Sequence, residues 1–210
     1  MSKHDSDPGD NYTLLKDAAH SEGVAVVGST PYVEPTISQS KQNIDLILDL
    51  ADSIQCHADF HLDYNLDPAS EPLIYYVIQQ MHKRRWTKST INTSGVIRTV
   101  TIGHATRLGL LTPIQWQDLK EEMAELPISI VGLPQSDVYM MGRHNHGGTL
   151  PVVQLAKDHG VDISMSVNNV QNAFTPQGSV DPLGLCTLGV GIFQAGTPED
   201  CRTLLVRIIF

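Results

Sequence analysis

A chain of 210 residues with 41% hydrophobic and 18% charged residues is long enough for one substantial core and too apolar for a disordered chain. Its net charge of -9 offers no attractive field to nucleic acid or to an anionic membrane, so neither partner is expected. The polar, acidic N-terminus lacks the pattern of a signal peptide, and three widely spaced cysteines form no CxxC pair, which together predict a soluble, cytoplasmic protein.

Strand-like and helix-like segments alternate along the chain after a polar segment, residues 1–10, that we expect to be disordered. The predicted strands are 24–28, 56–61, 97–103, 128–132 and 162–167. The predicted helices are 11–22, 38–52, 71–83, 112–126, 150–159 and 182–194. This alternation is typical of a parallel α/β fold, here one domain over residues 11–210. Its first strand, Val24 to Gly28, is expected to be buried on both faces.

The second predicted strand carries an unusual stripe of polar side chains. Because side chains alternate along a strand, His57, Asp59, His61 and Asp63 share one face, opposite a set of apolar residues. Four such groups are costly to bury without partners. The stripe is therefore either an exposed edge or part of a functional site.

Polar residues also end three of the predicted strands, at His61, His104 and Asn168. In a (β/α)8 barrel the active site gathers at the carboxyl ends of the strands. Two imidazoles and one oxygen ligand from separate strands could hold a divalent metal with an open position for water. The alternative for each histidine is a purely structural role.

Four segments together resemble the C-terminal half of a cytosine-deaminase-like metallo-dependent hydrolase of the amidohydrolase superfamily. They are residues 22–31, 59–63, 101–104 and 160–182, and the similarity runs over nearly all of residues 11–205. The resemblance implies a partial (β/α)8 TIM barrel, about strands 4 to 8. It also implies that zinc or iron activates water against a carbon–nitrogen bond of a small heterocycle such as cytosine.

The resemblance assigns roles to individual residues. His61 matches the metal-binding histidine after the fifth strand, and His104 matches the histidine after the sixth, which contacts the water and the substrate. Tyr64 stands where the family has its proton-shuttling glutamate, and Asn168 stands where it has a metal-binding catalytic aspartate. A phenol and a carboxamide are poor replacements for a carboxylate base, so Asp63 is the alternative base.

Further polar residues follow the predicted seventh strand. Gln135, Asp137 and Arg143 lie in what we predict to be a loop, where they either contact a substrate or belong to an ordinary surface loop. The family's His-x-His pair of the first strand has its one match in His144 and His146, in the same loop.

Two functions remain open at this point. The first is a metal-dependent amidohydrolase or deaminase with a small-molecule substrate. The second is a degenerate or truncated barrel that binds a ligand or partner without turnover. Weak metal binding is expected of this fragment, because His61 and His104 are joined only by the neutral oxygen of Asn168. Unpaired sheet edges also favour homo-oligomers.

Overall fold

The structure, a computed structural model, describes residues 9–142, 147–173 and 180–208. It divides into two compact units. The first unit comprises Met1–Leu62, Leu73–Ile102 and Glu122–Ile128, and the second comprises Asp63–Pro72, Gly103–Glu121 and Ser129–Phe210.

Five strands form one sheet in the order β1-β2-β3-β4-β5. The strands are β1 (Val26–Ser29), β2 (His57–Leu62), β3 (Val100–His104), β4 (Ile128–Gly132) and β5 (Ile163–Met165). The helices are α1 (Gly9–Ala19), α2 (Ile37–Ile54), α3 (Ile74–Lys83), α4 (Pro113–Met123), α5 (Pro134–Met141), α6 (Val152–Gln154), α7 (Pro182–Ile192) and α8 (Pro198–Val206). Strands β1 and β2 pair in parallel, as do β4 and β5. The predicted α/β class and sequential strand order are confirmed, whereas closure into a barrel remains a prediction.

Strand β2 shows the alternation that its sequence predicts. Ala58, Phe60 and Leu62 are fully buried, while the side chains between them are only partly exposed. Strand β1 approaches β2 closely, because a Cβ placed on Gly28 would lie 2.6 Å from the carbonyl oxygen of Asp59. A glycine is therefore required at this position of β1.

The prediction that β1 is buried on both faces was wrong. Val27 is buried, but Val24 is 39% and Val26 is 50% exposed. Helix α2 packs on β1, but the exposure of Val24 and Val26 shows that the face these two residues share has no equivalent cover in the described part of this unit. Strand β1 is also the first strand in the sheet order, so it lies at an edge of the sheet. Such an edge keeps homo-oligomer formation as a prediction.

Helix α1 also differs from its prediction. It begins at Gly9 rather than at residue 11, and it buries Ala19, whereas the apolar Leu14 is 66% exposed. The helix has few apolar residues. Its sequence pattern therefore predicts a helix but does not predict which face of that helix packs on the core.

A buried arginine organises the first unit behind β2. Arg98 is 2% exposed, and its Nη2 donates to Asp52 Oδ1 at 2.9 Å while its Nε donates to the Cys56 carbonyl at 3.0 Å. Its guanidinium carbon lies 3.9 Å from the ring centroid of Trp86, whose indole N–H donates back to the Arg98 carbonyl. The arginine thus links helix α2, the end of α3 and the segment entering β3.

The second unit contains two helices that the sequence did not predict, α5 and α8. Helix α8 begins with a reciprocal capping box, in which Thr197 and Asp200 each accept from the other's backbone N–H. The predicted helix over residues 150–159 starts as α6 and continues as one π turn, Leu155–His159, ending at Gly160 with φ +60°. Within the described ranges, no helix combines the length and the apolar composition needed to cross a membrane.

Tyr76 on α3 gives a test of the first unit at alkaline pH. Its hydroxyl donates to Asp45 Oδ2 at 2.7 Å, and burial together with this hydrogen bond raises the pKa of Tyr76 to about 12. Because this pKa is raised, the contribution of Tyr76 to the free energy of unfolding is complete below the ordinary value of 10.0. The contribution is lost as the pH rises through about 12.

We therefore expect Tyr76→Phe to reduce the loss of stability between pH 10 and pH 12, a window set by those two pKa values. Urea unfolding at several pH values in that window measures the effect. Tyr139→Phe, on an exposed side chain, is the matched control. If the stability of Tyr76→Phe falls with pH in the same way as that of the wild-type chain, the hydrogen bond between Tyr76 and Asp45 is contradicted.

Candidate active site at the end of strand β3

The backbone at the end of β3 is unusual. His104, the last residue of β3, has φ 64°, and Ala105 has φ 51°, so two consecutive non-glycine residues lie in the left-handed region. Asp63, directly after β2, has φ 53°. Such conformations cost free energy and concentrate at functional sites, which directs attention to this part of the second unit.

A buried histidine–carboxylate pair lies here. His104 Nδ1 and Asp137 Oδ1 are 2.7 Å apart, and the two residues are 1% and 0% exposed. The other carboxylate oxygen, Oδ2, accepts from the Thr149 hydroxyl at 2.8 Å and from the Leu133 N–H at 3.3 Å. Both oxygens of Asp137 are therefore engaged, and the imidazole of His104 is held in one orientation.

The electrostatics of this pair follow from its burial. Removal from water raises the pKa of Asp137, because the charged carboxylate loses hydration. The hydrogen bonds from His104, Thr149 and the Leu133 N–H oppose that rise. An ionised carboxylate only accepts hydrogen bonds, so it selects the tautomer of His104 that carries its proton on Nδ1.

Tyr64 covers the imidazole. Its ring stacks on that of His104, with the centroids 3.8 Å apart and the planes at 23°.

The residues on either side of Tyr64 are held by the segment after β3. Asp63 is 3% exposed, and its carbonyl accepts from the Arg107 N–H at 2.9 Å. The Thr106 hydroxyl donates to the Asn65 carbonyl at 3.1 Å.

Arg107 holds the rest of this loop. Its Nε donates to the Ser70 carbonyl and its Nη2 to the Pro68 carbonyl, each at 2.9 Å. Since the side chain is 7% exposed, these bonds form away from bulk water. The segment after β3 thereby fixes the loop that carries Tyr64.

Two more predicted residues come close to the pair. Asn168 Nδ2 donates to Ser136 Oγ at 3.1 Å, and Ser136 directly precedes Asp137. Gln135, in the same turn of α5, has a buried side-chain oxygen, Oε1, with no hydrogen-bond partner in the described part of the chain. Residues that follow β2, β3, β4 and β5 therefore contribute to one region.

The structure changes the assignment of Gln135 and Asp137. Both were predicted in a loop, but they lie in the first turn of α5, which begins with Pro134 at its first position. Asp137 is wholly buried and bonded to His104, so it does not lie in a surface loop, and its predicted contact with a substrate stays a prediction. Arg143, His144 and His146 lie outside the described residues.

Several residues of the region were missed from the sequence. Thr106, Arg107 and Thr149 hold either the Tyr64 loop or Asp137, yet none belongs to a motif. The one local signal was the polar pair Thr106 and Arg107, which begins two residues after His104. The contacts themselves join residues far apart in the chain, which periodicity does not report.

The predicted metal ligands do not form a metal site in the described ranges, where no group of three or more His, Cys, Asp and Glu side chains is arranged to hold an ion. Near His104, both oxygens of Asp137 are engaged, and Asn168 is bonded to Ser136. His61 lies in the first unit, with Nε2 3.5 Å from Asp59 Oδ1. The zinc or iron site on His61 and Asn168 remains a prediction.

No protein-family model matches the chain, and no curated protein sequence matches it. Solved structures do match. One is 5-methylcytosine deaminase from Klebsiella pneumoniae liganded with 5-fluorocytosine, with a TM-score of 0.76 and 20% identity over 93% of this chain and 45% of that chain. Another is N-isopropylammelide isopropylaminohydrolase from Burkholderia multivorans ATCC 17616, with a TM-score of 0.68 and 21% identity over 94% and 45%.

An adenosine deaminase from Xanthomonas campestris with bound zinc matches at a TM-score of 0.54 and 14% identity, over 94% of this chain and 40% of that chain. At these identities the likeness shows the fold alone. The chain shares the fold of part of each of these three proteins, which confirms the predicted resemblance at the level of fold. It spans less than half the length of these proteins.

Proposed function

We propose that the chain is part of a hydrolase that acts on a non-peptide carbon–nitrogen bond of a small nitrogen heterocycle, with cytosine as the type of substrate. The observation that carries this proposal is the buried His104–Asp137 pair, 2.7 Å apart, at the end of β3. The fold likeness to two proteins named for such reactions supports it.

The reaction is the addition of water to the ring carbon that bears the amine, followed by loss of ammonia. The new carbon–oxygen bond forms, the carbon–nitrogen bond breaks, and one proton of the water ends on the leaving nitrogen. In this proposal His104, oriented through Nδ1 by Asp137, contacts the reacting oxygen through Nε2. Gln135 Oε1, buried and without a partner in the described chain, would accept from an N–H group of the heterocycle.

Tyr64 controls access in this proposal. His104 is 1% exposed, and the phenol ring occupies its face at stacking distance. A planar heterocycle reaches that face only when Tyr64 moves aside. We therefore expect Tyr64→Ala to bind a flat pyrimidine several-fold more tightly than the wild-type chain does. Titration of 5-fluorocytosine, followed by its fluorine NMR signal, measures the difference.

Fluorine NMR with 5-fluorocytosine tests the function, because one spectrum reports both binding and conversion to 5-fluorouracil. We expect the wild-type chain to broaden the 5-fluorocytosine signal and, with added zinc or iron(II), to produce 5-fluorouracil with release of ammonia. His104→Ala should lose both effects, whereas His20→Ala, on an exposed side chain of the first unit, should keep them. Conversion that persists in His104→Ala would refute the assignment.

A ligand-binding protein without turnover is the second candidate. Tyr64 and Asn168 favour it, because neither side chain offers a carboxylate base and Asn168 is bonded to Ser136. In the fluorine NMR experiment, such a protein broadens the 5-fluorocytosine signal but produces no 5-fluorouracil. Asn168→Asp should then restore a measurable rate and tighten metal binding, since an anionic oxygen replaces a neutral one.

A further inference from the structure

A cavity of about 250 Å³ lies in the first unit, where α1 and α2 meet the turn that follows β1. Tyr12 and Leu15 line it from α1, and Asn43 and Ile47 line it from α2. The Tyr12 hydroxyl donates to the Leu46 carbonyl at 3.3 Å and so ties the two helices together beside the cavity. All lining residues belong to the first unit, and none is used by the proposed reaction.

Glu34 gives the cavity a negative charge. Its Oε1 accepts from Asn43 Nδ2 at 2.8 Å, which fixes the carboxylate against α2. Among the described residues, no lysine, arginine or histidine forms an ion pair with Glu34. The net charge of -9 adds a field that attracts cations.

Ser29, the last residue of β1, supplies a second polar group. Its Oγ is buried and has no hydrogen-bond partner in the part of the chain that the structure describes, and the residue lines the cavity. A buried hydroxyl normally has a partner, so an unpartnered one beside a cavity indicates a missing hydrogen-bonding group.

The cavity is also lined by four apolar residues, Leu15, Val33, Leu46 and Ile47, and by two further polar residues, Asn11 and Thr30. The volume of about 250 Å³ lies just below the usual range of ligand pockets, about 300–1,000 Å³, so the cavity suits only a small molecule. The occupant therefore needs a hydrogen-bond-donating cationic end and a compact apolar body.

We propose that this cavity binds a small organic cation, an amine, amidine or guanidine with an apolar body, whose charged end pairs with Glu34 and whose N–H groups also contact Ser29. An amidine presents two parallel N–H groups to a carboxylate, which is the strongest geometry for such a pair. The site is independent of the proposed hydrolase function.

Benzamidine is the probe, and neutral benzamide, nearly the same shape, is its control. Calorimetric titration of the full chain should show benzamidine binding about tenfold or more tighter than benzamide. Glu34→Gln keeps an acceptor for Asn43 while removing the charge, so it should reduce benzamidine affinity to the benzamide level. Ser29→Ala should weaken binding a few-fold. Glu22→Gln, on an exposed side chain of the same unit, should bind like wild type.

Amide NMR spectra locate the binding. We expect benzamidine to shift the signals of Tyr12, Ser29 and Glu34, and we expect His104→Ala to leave these shifts unchanged. The proposal is overturned if benzamidine does not bind, if Glu34→Gln binds it as well as wild type does, or if the shifts lie elsewhere. Failure of the 5-fluorocytosine experiment leaves this result untouched, so the two proposals fail separately.

Discussion

Replacing Asp137 by alanine is expected to lower the free energy of unfolding by about 3–5 kcal/mol. The carboxylate is wholly buried and accepts from His104, from the Thr149 hydroxyl and from the Leu133 N–H. Alanine leaves all three donors buried without an acceptor, and each costs about 1–3 kcal/mol when no water replaces the lost partner. Urea unfolding followed by circular dichroism measures the loss.

Two variants sharpen this experiment. Asp137→Asn keeps one acceptor oxygen and should lose less stability than Asp137→Ala. Asp118→Ala, on an exposed position of α4, should stay within about 0.5 kcal/mol of wild type. An Asp137→Ala protein as stable as Asp118→Ala would show that the buried pair is not formed.

Arg98→Ala is expected to cost about 3–4 kcal/mol in the first unit. The substitution removes the bond to Asp52, the bond to the Cys56 carbonyl and the packing of the guanidinium on Trp86 at 3.9 Å. Asp52 is partly exposed and regains water, so most of the loss comes from the cavity and from the orphaned carbonyl.

Arg202→Ala is the matched control, because Arg202 lies exposed on α8. Thermal unfolding should place Arg98→Ala well below wild type and Arg202→Ala close to it. Arg98→Lys should recover little, since an ammonium group cannot reproduce the planar stack on Trp86. Equal melting temperatures for the two alanine variants would argue against a structural role for Arg98.

Strand positions could be predicted from the sequence because they depend on local patterns. The alternation in β2 has the period of two that is typical of a half-buried strand. The apolar run of β4, Ile128–Gly132, is typical of a strand buried on both faces. The burial of β1 could not be predicted in this way. A run of valines is the same in a central strand and at an edge, and only the neighbouring elements decide how much of it is exposed.

The candidate site was predictable in its residue types but not in its contacts. His104, Tyr64 and Asn168 were found from strand ends and from a resemblance, and the structure places each of them in the second unit. The partner of His104 is Asp137, 33 positions away in the chain. No spacing rule connects such a pair, because the sheet order brings them together.

The sequence predicts a loop around Asp137, where the structure has helix α5. The first turn of α5 contains Pro134, Ser136 and Asp137, and none of these is a strong helix former. Its stability comes from packing and from the bond between the Asp137 side chain and the Leu133 N–H. Tertiary contacts therefore override the local preference for a loop.

A histidine NMR titration with 5-fluorocytosine tests most directly whether the heterocycle binds at His104. The chain has nine histidines, and labelling each ring at the carbon between its two nitrogens gives one signal per residue, with the His104 signal identified by its absence in His104→Gln. We expect saturating 5-fluorocytosine to shift the His104 signal and to leave the signal of exposed His20 in place. The fluorine signal of 5-fluorocytosine shows independently whether the ligand binds. Binding that leaves the His104 signal unshifted would contradict a heterocycle site at the His104–Asp137 pair.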